Sequence, residues 1–313
     1  MFMKNVFFLK PHFEDKIWGG SNLKKLNYQI SNDHVGEAWI ISGYPNKSSI
    51  ITNGKYKNKT LQWLFENHPE YFSNTKSKVY PLLIKILDSN DKLSIQVHPD
   101  DNYAQKHYHE LGKNECWYIL DARKNASIVY GHNAKTKKEL VSLIKNNKWN
   151  ELLRIKKVKK GDFIYVPAGT VHAINGGLLI YELQQSSDLT FRLYDYNRLN
   201  NGKPRPLHIK ESIDVITVPH KDYQADKGSN VLVSNEYFKL VKLDNHIKTK
   251  YTFSDAQWLQ VTVVSGSGIL NNKKNIKAGD SFIIGSPINT FSLSGNLTVL
   301  VGYIAKNRRI LEK

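Results

Sequence analysis

The sequence predicts a mainly β protein of two barrels in tandem, with a small helical insertion in its N-terminal part. Three observations lead there. Apolar residues gather in short runs, either alternating with period two or almost unbroken, and both are strand signatures. A Gly-Asp turn leading into an apolar run occurs twice, as Lys160-Gly161-Asp162-Phe163-Ile164 and as Ala278-Gly279-Asp280-Ser281-Phe282-Ile283-Ile284, each with a proline downstream, Pro167 and Pro287. Helical period is confined to two stretches, near 60–72 and 137–149.

In chain order, Val6-Phe7-Phe8-Leu9 is apolar but too short for a secretory leader. Trp18-Gly19-Gly20 reads as a turn beside a buried aromatic, and Gly36–Ser42 and Ser49–Ile51 read as strands. Leu61, Leu64, Phe65 and Phe72 fit one helix face, with Thr60 as N-cap. Pro81–Leu87 is a nearly continuous apolar strand interrupted by Lys85, whose ammonium needs a partner or an anionic ligand if buried. Ser94–His98 alternates, and Pro99 ends it. His107, His109 and Glu110 have ligand-like spacing but lie in a polar stretch without β pattern, which predicts a solvated loop. Glu115–Leu120 and Ser127–Tyr130 are strands. Thr136-Lys137-Lys138-Glu139 is a capping box opening a helix that ends near Trp149. Strands return at Phe163–Val166, Val171–Ile174, Leu178–Leu183 and Leu189–Tyr194. Residues 199–229, with Pro204, Pro206 and Pro219, read as a connector; Val231–Ile304 is all β and ends in a basic tail, Lys306–Lys313. The expected division is 1–215, carrying the helical insertions and a metal site, and 230–313, a barrel without one.

Within Ser94–His98, alternate side chains share a face. Ser94, Gln96 and His98 point one way, while Ile95 and Val97 pack behind. An ordinary core strand fills such a face with apolar residues. Glu115 follows on a second strand and His172 on a third. A Gln, two His and a Glu converging from separate strands make a metal site of nitrogen and oxygen donors, for which zinc is the leading candidate, one ion per chain. Cys116 neighbours Glu115, so it points the opposite way and belongs to the core.

The chain carries 45 Lys+Arg against 28 Asp+Glu, a formal charge of +17. The lysines are scattered, without a basic stripe, helix-turn-helix or zinc finger, which argues against nucleic acid. The field still draws an anionic substrate. A single cysteine excludes an internal disulfide and fits a reducing compartment. No long apolar segment occurs, so the sequence predicts a soluble cytoplasmic protein with no membrane partner. Neither G-x-x-x-x-G-K-[ST] nor G-x-G-x-x-G is present, against a nucleotide cofactor.

Ser94-Ile95-Gln96-Val97-His98-Pro99, Glu115-Cys116-Trp117-Tyr118 and Pro167-Ala168-Gly169-Thr170-Val171-His172-Ala173 together resemble the type I mannose-6-phosphate isomerases in their short bacterial form. The resemblance extends to Ile17–Gly20, Gly36–Trp39 and Phe191-Arg192-Leu193-Tyr194-Asp195-Tyr196 and covers nearly the whole chain. It implies a fold of two cupin-type jelly-roll barrels and a zinc-dependent interconversion of mannose 6-phosphate and fructose 6-phosphate. The family's metal ligands fall on Gln96, His98, Glu115 and His172; some short relatives lack the Gln, which leaves its role open. The catalytic arginine falls on Arg192. Phosphate-contacting positions match Lys85, Ser94 and Arg198, the last an Arg where a Lys is typical, which keeps the charge but changes the donor geometry.

An aldose–ketose isomerase moves a proton between C1 and C2 through an enediol. A fixed cation at Arg192 would meet the developing charge. If the segment stays extended, Arg192, Tyr194, Tyr196 and Arg198 share one face, so one ribbon would carry both cations. Glu182, a carboxylate inside Leu179-Ile180-Tyr181-Glu182-Leu183, would act as the base or orient Arg192; Lys113 is another candidate for a substrate contact or proton carrier. Two other classes fit parts of the pattern: a non-catalytic sugar-phosphate-binding cupin, and an iron-dependent cupin dioxygenase. Oligomeric state leaves no mark in the sequence.

Overall fold

The structure is a computed structural model and describes residues 5–223 and 230–307. Residues 224–229 of the expected connector and 308–313 of the basic tail lie outside the described residues. The first part of the chain forms β1 (Val6–Lys10), β2 (His12–Gly20), β3 (Val35–Ile41), β4 (Ile50–Ile51), α1 (Leu61–Asn67), β5 (Leu82–Ser89), β6 (Ile95–Val97), α2 (Asp101–Tyr108), β7 (Glu115–Ala122) and β8 (Ser127–His132). Then come α3 (Lys137–Lys145), α4 (Trp149–Leu152), β9 (Leu153–Lys157), β10 (Phe163–Val166), β11 (His172–Ile174), β12 (Leu178–Gln185) and β13 (Phe191–Tyr194). A hairpin of β14 (Leu199–Asn200) and β15 (Lys203–Pro204) precedes α5 (Ile209–Val215). The last part is all strand: β16 (Val231–Ser234), β17 (Lys239–Asn245), β18 (Thr249–Thr252), β19 (Leu259–Leu270), β20 (Lys274–Lys277), β21 (Ser281–Ile284) and β22 (Thr290–Tyr303).

The architecture is mainly β, two cupin-type jelly rolls with a few short helices. Six strands in the order β10-β7-β12-β5-β3-β2 face five in the order β13-β6-β11-β8-β9, and these two sheets enclose the first barrel. The second is built on a nine-stranded sheet running β16-β17-β22-β19-β21-β1-β4, with β18 on β22 and β20 on β19. One departure from the sequence reading is its first strand. β1, expected within the first barrel, pairs with β21 from Val6↔Ile284 to Leu9↔Ser281 and carries β4 on its other edge. The reason is burial. Val6 and Phe8 enter the second barrel's core beside Phe282, while Phe7 and Leu9 join the apolar layer between the barrels. Pairing there also covers an edge that would otherwise invite aggregation.

That shared layer explains the unbroken apolar run of β5. Leu82, Ile84 and Ile86 face the inter-barrel core, together with Leu183 of β12 and Trp258 and Leu300 of the second barrel. The opposite side of the same strands faces the first barrel's interior, so both faces are buried. At one point the sheets approach closely enough that a Cβ on Gly302 would touch Leu183.

The helices follow their caps. Thr60 accepts from Trp63 N, and Thr136 from Glu139 N. Only half the capping box forms, because Glu139 accepts from Lys135 N instead of Thr136 N. α3 stops at Asn146 and the chain restarts as α4 after Asn147, which is left-handed at φ 53°. α2 replaces the loop expected around His107. It is capped by Asp100 and buries only Ala104, so no apolar stripe marked it; His107 and His109 are exposed, as the polar pattern required. None of the described helices is long and apolar enough to cross a membrane.

Candidate active site

The site lies between the two sheets of the first barrel, and strand register sets it. In the five-stranded sheet His172 of β11 pairs with Gln96 of β6, which pairs with Arg192 of β13. Directly paired residues share a face, so the three form one row across adjacent strands. In the opposing sheet Trp117 of β7, Glu182 of β12, Lys85 of β5 and Trp39 of β3 form a second row. Glu115, two residues before Trp117, is on the same face as that row. Ile95 and Val97 pack outward under α3 and α5, and Cys116 points into the inter-barrel core.

His98, Glu115 and His172 are almost fully buried and bring one ligand atom each within 4.8 Å of one another. His98 Nε2 lies 3.5 Å from Glu115 Oε2, and His172 Nε2 lies 3.4 Å from Glu115 Oε1. The outer ring nitrogens are held by backbone: His98 Nδ1 donates to Leu189 O at 2.8 Å, and His172 Nδ1 to Thr170 O at 2.9 Å. Each bond fixes the tautomer and leaves an Nε2 lone pair facing inward. His98 Nε2 and both Glu115 oxygens have no hydrogen-bond partner. Burial drives the imidazoles neutral, His172 to about 4 and His98 well down, with Lys113 adding to both. Neutral imidazoles, a carboxylate without a hydrogen bond and inward lone pairs are what a divalent metal requires. The residues fit the ion. Among the described residues no second group of three such side chains converges.

Gln96 stands at the edge of this set. Its Nε2 is 3.3 Å from His172 Nε2, and its Oε1 accepts from Ser94 Oγ at 3.4 Å. Turning the amide over would aim Oε1 at the same centre.

A cavity of about 310 Å³ opens beside the triplet, lined by Ser94, Gln96, His172, Lys85, Lys113, Glu182 and Arg192 among others. Lys85 is 3% exposed, lies 3.8 Å from Glu37 Oε2 and 3.7 Å from Glu182 Oε1, and sits over the Trp39 ring at 4.6 Å. Burial opposes its charge, yet Glu37 and Glu182 outweigh that and raise its pKa. Burial likewise pushes Glu37 up, but Lys85, Lys16 and the Trp39 indole N–H (2.7 Å) hold it down to about 2. Glu182 goes the other way. Burial and the neighbouring Glu115 raise it, against Lys113 and Lys85, while its Oε2 accepts from Trp117 Nε1 at 2.9 Å. No hydrogen bond joins Glu182 to Arg192 among the described residues. Lys113 Nζ is 3.3 Å from Glu115 Oε2, an ion pair without hydrogen-bond alignment.

Arg192 lines the cavity, donates from Nη1 to Pro206 O at 2.8 Å and has an unpartnered Nε. Arg198 does not join it. The extended ribbon expected from Arg192 to Arg198 ends at Tyr194, because Tyr196 and Asn197 are both left-handed at φ 56°. The turn sends Arg198 outward. It pairs with Asp195 Oδ1 at 2.6 Å, bonds Lys92 O and stacks on Tyr196. The chain returns through the β14–β15 hairpin and brings Arg205 to the cavity instead. The sequence reading also passed over Glu37, Trp39 and Lys16. Glu37 and Trp39 lay in the quoted Gly36–Trp39 motif, where an acid two residues before a strand tryptophan was the available signal.

Residues 6–128 match the model of the phosphomannose isomerase type I catalytic domain, and residues 228–304 match the mannose-6-phosphate isomerase cupin domain. The mannose-6-phosphate isomerase of Streptococcus mutans is 42% identical over 316 residues, covering 96% of this chain and 99% of the relative. The chain belongs to the type I phosphomannose isomerase family. Mannose-6-phosphate isomerase ManA of Bacillus subtilis is likewise 42% identical, over 95% of this chain and 98% of its own. The crystal structure of the mannose 6-phosphate isomerase from Bacillus subtilis superposes with a TM-score of 0.92 at 42% identity, covering 96% of this chain and all of that one. A variant of the Salmonella typhimurium phosphomannose isomerase has a TM-score of 0.78 at 17% identity, a likeness of fold alone. Among type I phosphomannose isomerases, this chain thus carries its candidate metal triplet, its cavity and its two rows of charged side chains in the first barrel.

Proposed function

We propose that the protein interconverts D-mannose 6-phosphate and D-fructose 6-phosphate through an enediol, with one zinc ion per chain. The observation that carries this is the buried His98–Glu115–His172 set opening on a cationic cavity, in a chain that matches mannose-6-phosphate isomerases from end to end. Bound by these three residues, with Gln96 as a fourth donor, zinc would supply a Lewis acid for the carbonyl and adjacent hydroxyl oxygens. Two histidines and a carboxylate also suit iron(II); a family of isomerases and a cavity furnished for a phosphorylated sugar favour zinc.

The chain's own residues divide the remaining work. Arg192, in no close ion pair among the described residues, meets the negative charge that builds on the enediolate oxygen, in a site where a preorganised cation counts most. Glu182 carries the proton between C1 and C2. Burial and Glu115 raise its affinity for a proton, which suits a group that takes one up and returns it, and Lys85 and the Trp117 indole hold its two oxygens. Lys113 and Ser94 orient sugar hydroxyls near the ion. We further infer that catalysis resides in residues 1–215, that residues 230–313 lack a metal site, and that the enzyme works in the cytoplasm, where its free buried Cys116 stays reduced. Purified protein incubated with mannose 6-phosphate, with and without zinc, tests the reading. Fructose 6-phosphate forms without any nucleotide, and a chelator stops it; fully metal-loaded protein that forms none contradicts it.

A further inference from the structure

Resting on that reading, the hairpin foot that replaces Arg198 gives the phosphate a different anchor. Arg198 is turned away from the cavity and engaged by Asp195, Lys92 O and the Tyr196 ring. Lys85 faces the cavity, but its ammonium is already engaged by two carboxylates, Glu37 and Glu182, which compete with any dianion for it. Arg205 differs from both. Its Nε and Nη2 donate to Asp195 Oδ2 and Oδ1 at 2.7 and 2.6 Å, a bidentate fork that fixes the guanidinium plane. Its Nη1 has no hydrogen-bond partner among the described residues, and the side chain lines the cavity while remaining 17% exposed.

Arg192 and Arg205 face one space. Burial lowers the Arg192 pKa, and Arg205 is the charge that lowers it most, with Asp195 acting against it. Two guanidinium groups aimed at one volume repel unless an anion lies between them, and planar donors suit phosphate oxygens bidentately. We propose that Arg205 grips the phosphate of the sugar substrate, with Asp195 as its positioning residue.

Steady-state kinetics on the zinc-loaded protein, with inorganic phosphate as competitor, test this. In Arg205→Gln, KM for mannose 6-phosphate and the inhibition constant of phosphate rise together, on the order of 10- to 100-fold. Its kcat falls by less than about threefold, and zinc per chain is unchanged. Arg205→Lys falls between the parent and the Gln variant. Asp195→Asn gives the same KM-against-kcat split with a smaller rise; an unchanged KM there overturns its positioning role. Parent-like KM and phosphate inhibition in Arg205→Gln overturn the assignment, as does a loss confined to kcat. If the parent forms no fructose 6-phosphate, the isomerase reading fails instead. Calorimetric titration of parent and Arg205→Gln with phosphate then still decides the anchor, equal affinities rejecting it.

Discussion

The two barrels are closed by the same turn and filled differently. At Gly161 and Gly279 the backbone is left-handed, φ 91° and 97°. Asp162 accepts from Lys159 N at 2.9 Å and Asp280 from Lys277 N at 2.8 Å. The glycine N–H groups donate to Ile119 O and Val263 O, and those residues' N–H groups bond back to Asp162 O and Asp280 O. Beyond the turn the registers match. Val166 pairs with Glu115 in one barrel and Ile284 with Leu259 in the other. A buried carboxylate thus stands where its counterpart is a buried leucine in a dry core with Val261, Phe282 and Phe291. The barrel closes well without charge, so the charged side chains inside the first are there for chemistry. Buried charges are costly unless paired, and Lys85, Glu37, Glu182, Lys113 and Glu115 are paired with one another.

The largest expected effect comes from removing that chemistry. His172→Ala loses the metal, and turnover falls on the order of 10³-fold or more; Arg192→Ala loses about 10²- to 10³-fold while keeping parent zinc content. Metal analysis beside kinetics checks both, and an Arg192→Ala protein stripped of zinc as readily as His172→Ala would break the division of roles.

Making the second barrel resemble the first is the next test. Leu259→Glu buries a carboxylate with no cation facing it and no histidines beside it. Stability in urea falls by about 3–5 kcal/mol, with no gain in zinc per chain. A tolerated, zinc-binding variant would mean that the second interior is a latent copy of the first.

Glu37 supports Lys85 only in the polar barrel. Its carboxyl lies at about 2, against an ordinary 4.5. A lowered pKa contributes stability that is fully present above the ordinary value and is lost as pH falls toward the folded one. The stability difference between parent and Glu37→Gln is therefore flat above about pH 5 and shrinks by about 3 kcal/mol down to pH 2. Urea titrations across that range check it; a difference that grows on acidification contradicts the pairing.

The smallest contrast lies in the turns. A Cβ on Gly161 meets nothing within 4 Å, whereas one on Gly279 overlaps the Leu26 carbonyl oxygen. Gly161→Ala costs about 1–2 kcal/mol of left-handed strain, and Gly279→Ala costs more because backbone must shift. Equal thermal midpoints would mean that the loop at Leu26 yields freely.

The same comparison marks what could be read from sequence. His98 was legible because a polar residue on a core face violates the pattern around it, and the structure gathers Glu115 and His172 beside it. The Gly-Asp turns were legible as a local repeat. β1 was misassigned because its partner lies more than 270 residues away, beyond the reach of local pattern. α2 was missed for lack of an apolar face. Arg198 was expected on one face with Arg192 because alternation assumes extended backbone, and nothing in Tyr196 announces a left-handed residue.

Zinc content and isomerase activity, measured on one preparation, bear most directly on the claim that the first barrel's interior is a catalytic metal site. The account predicts one zinc per chain, conversion of mannose 6-phosphate with proton exchange at C2 in deuterated water, loss of both on chelation and return of both with zinc. Protein that binds one zinc through His98, Glu115 and His172 yet neither converts the sugar phosphate nor exchanges that proton would contradict it.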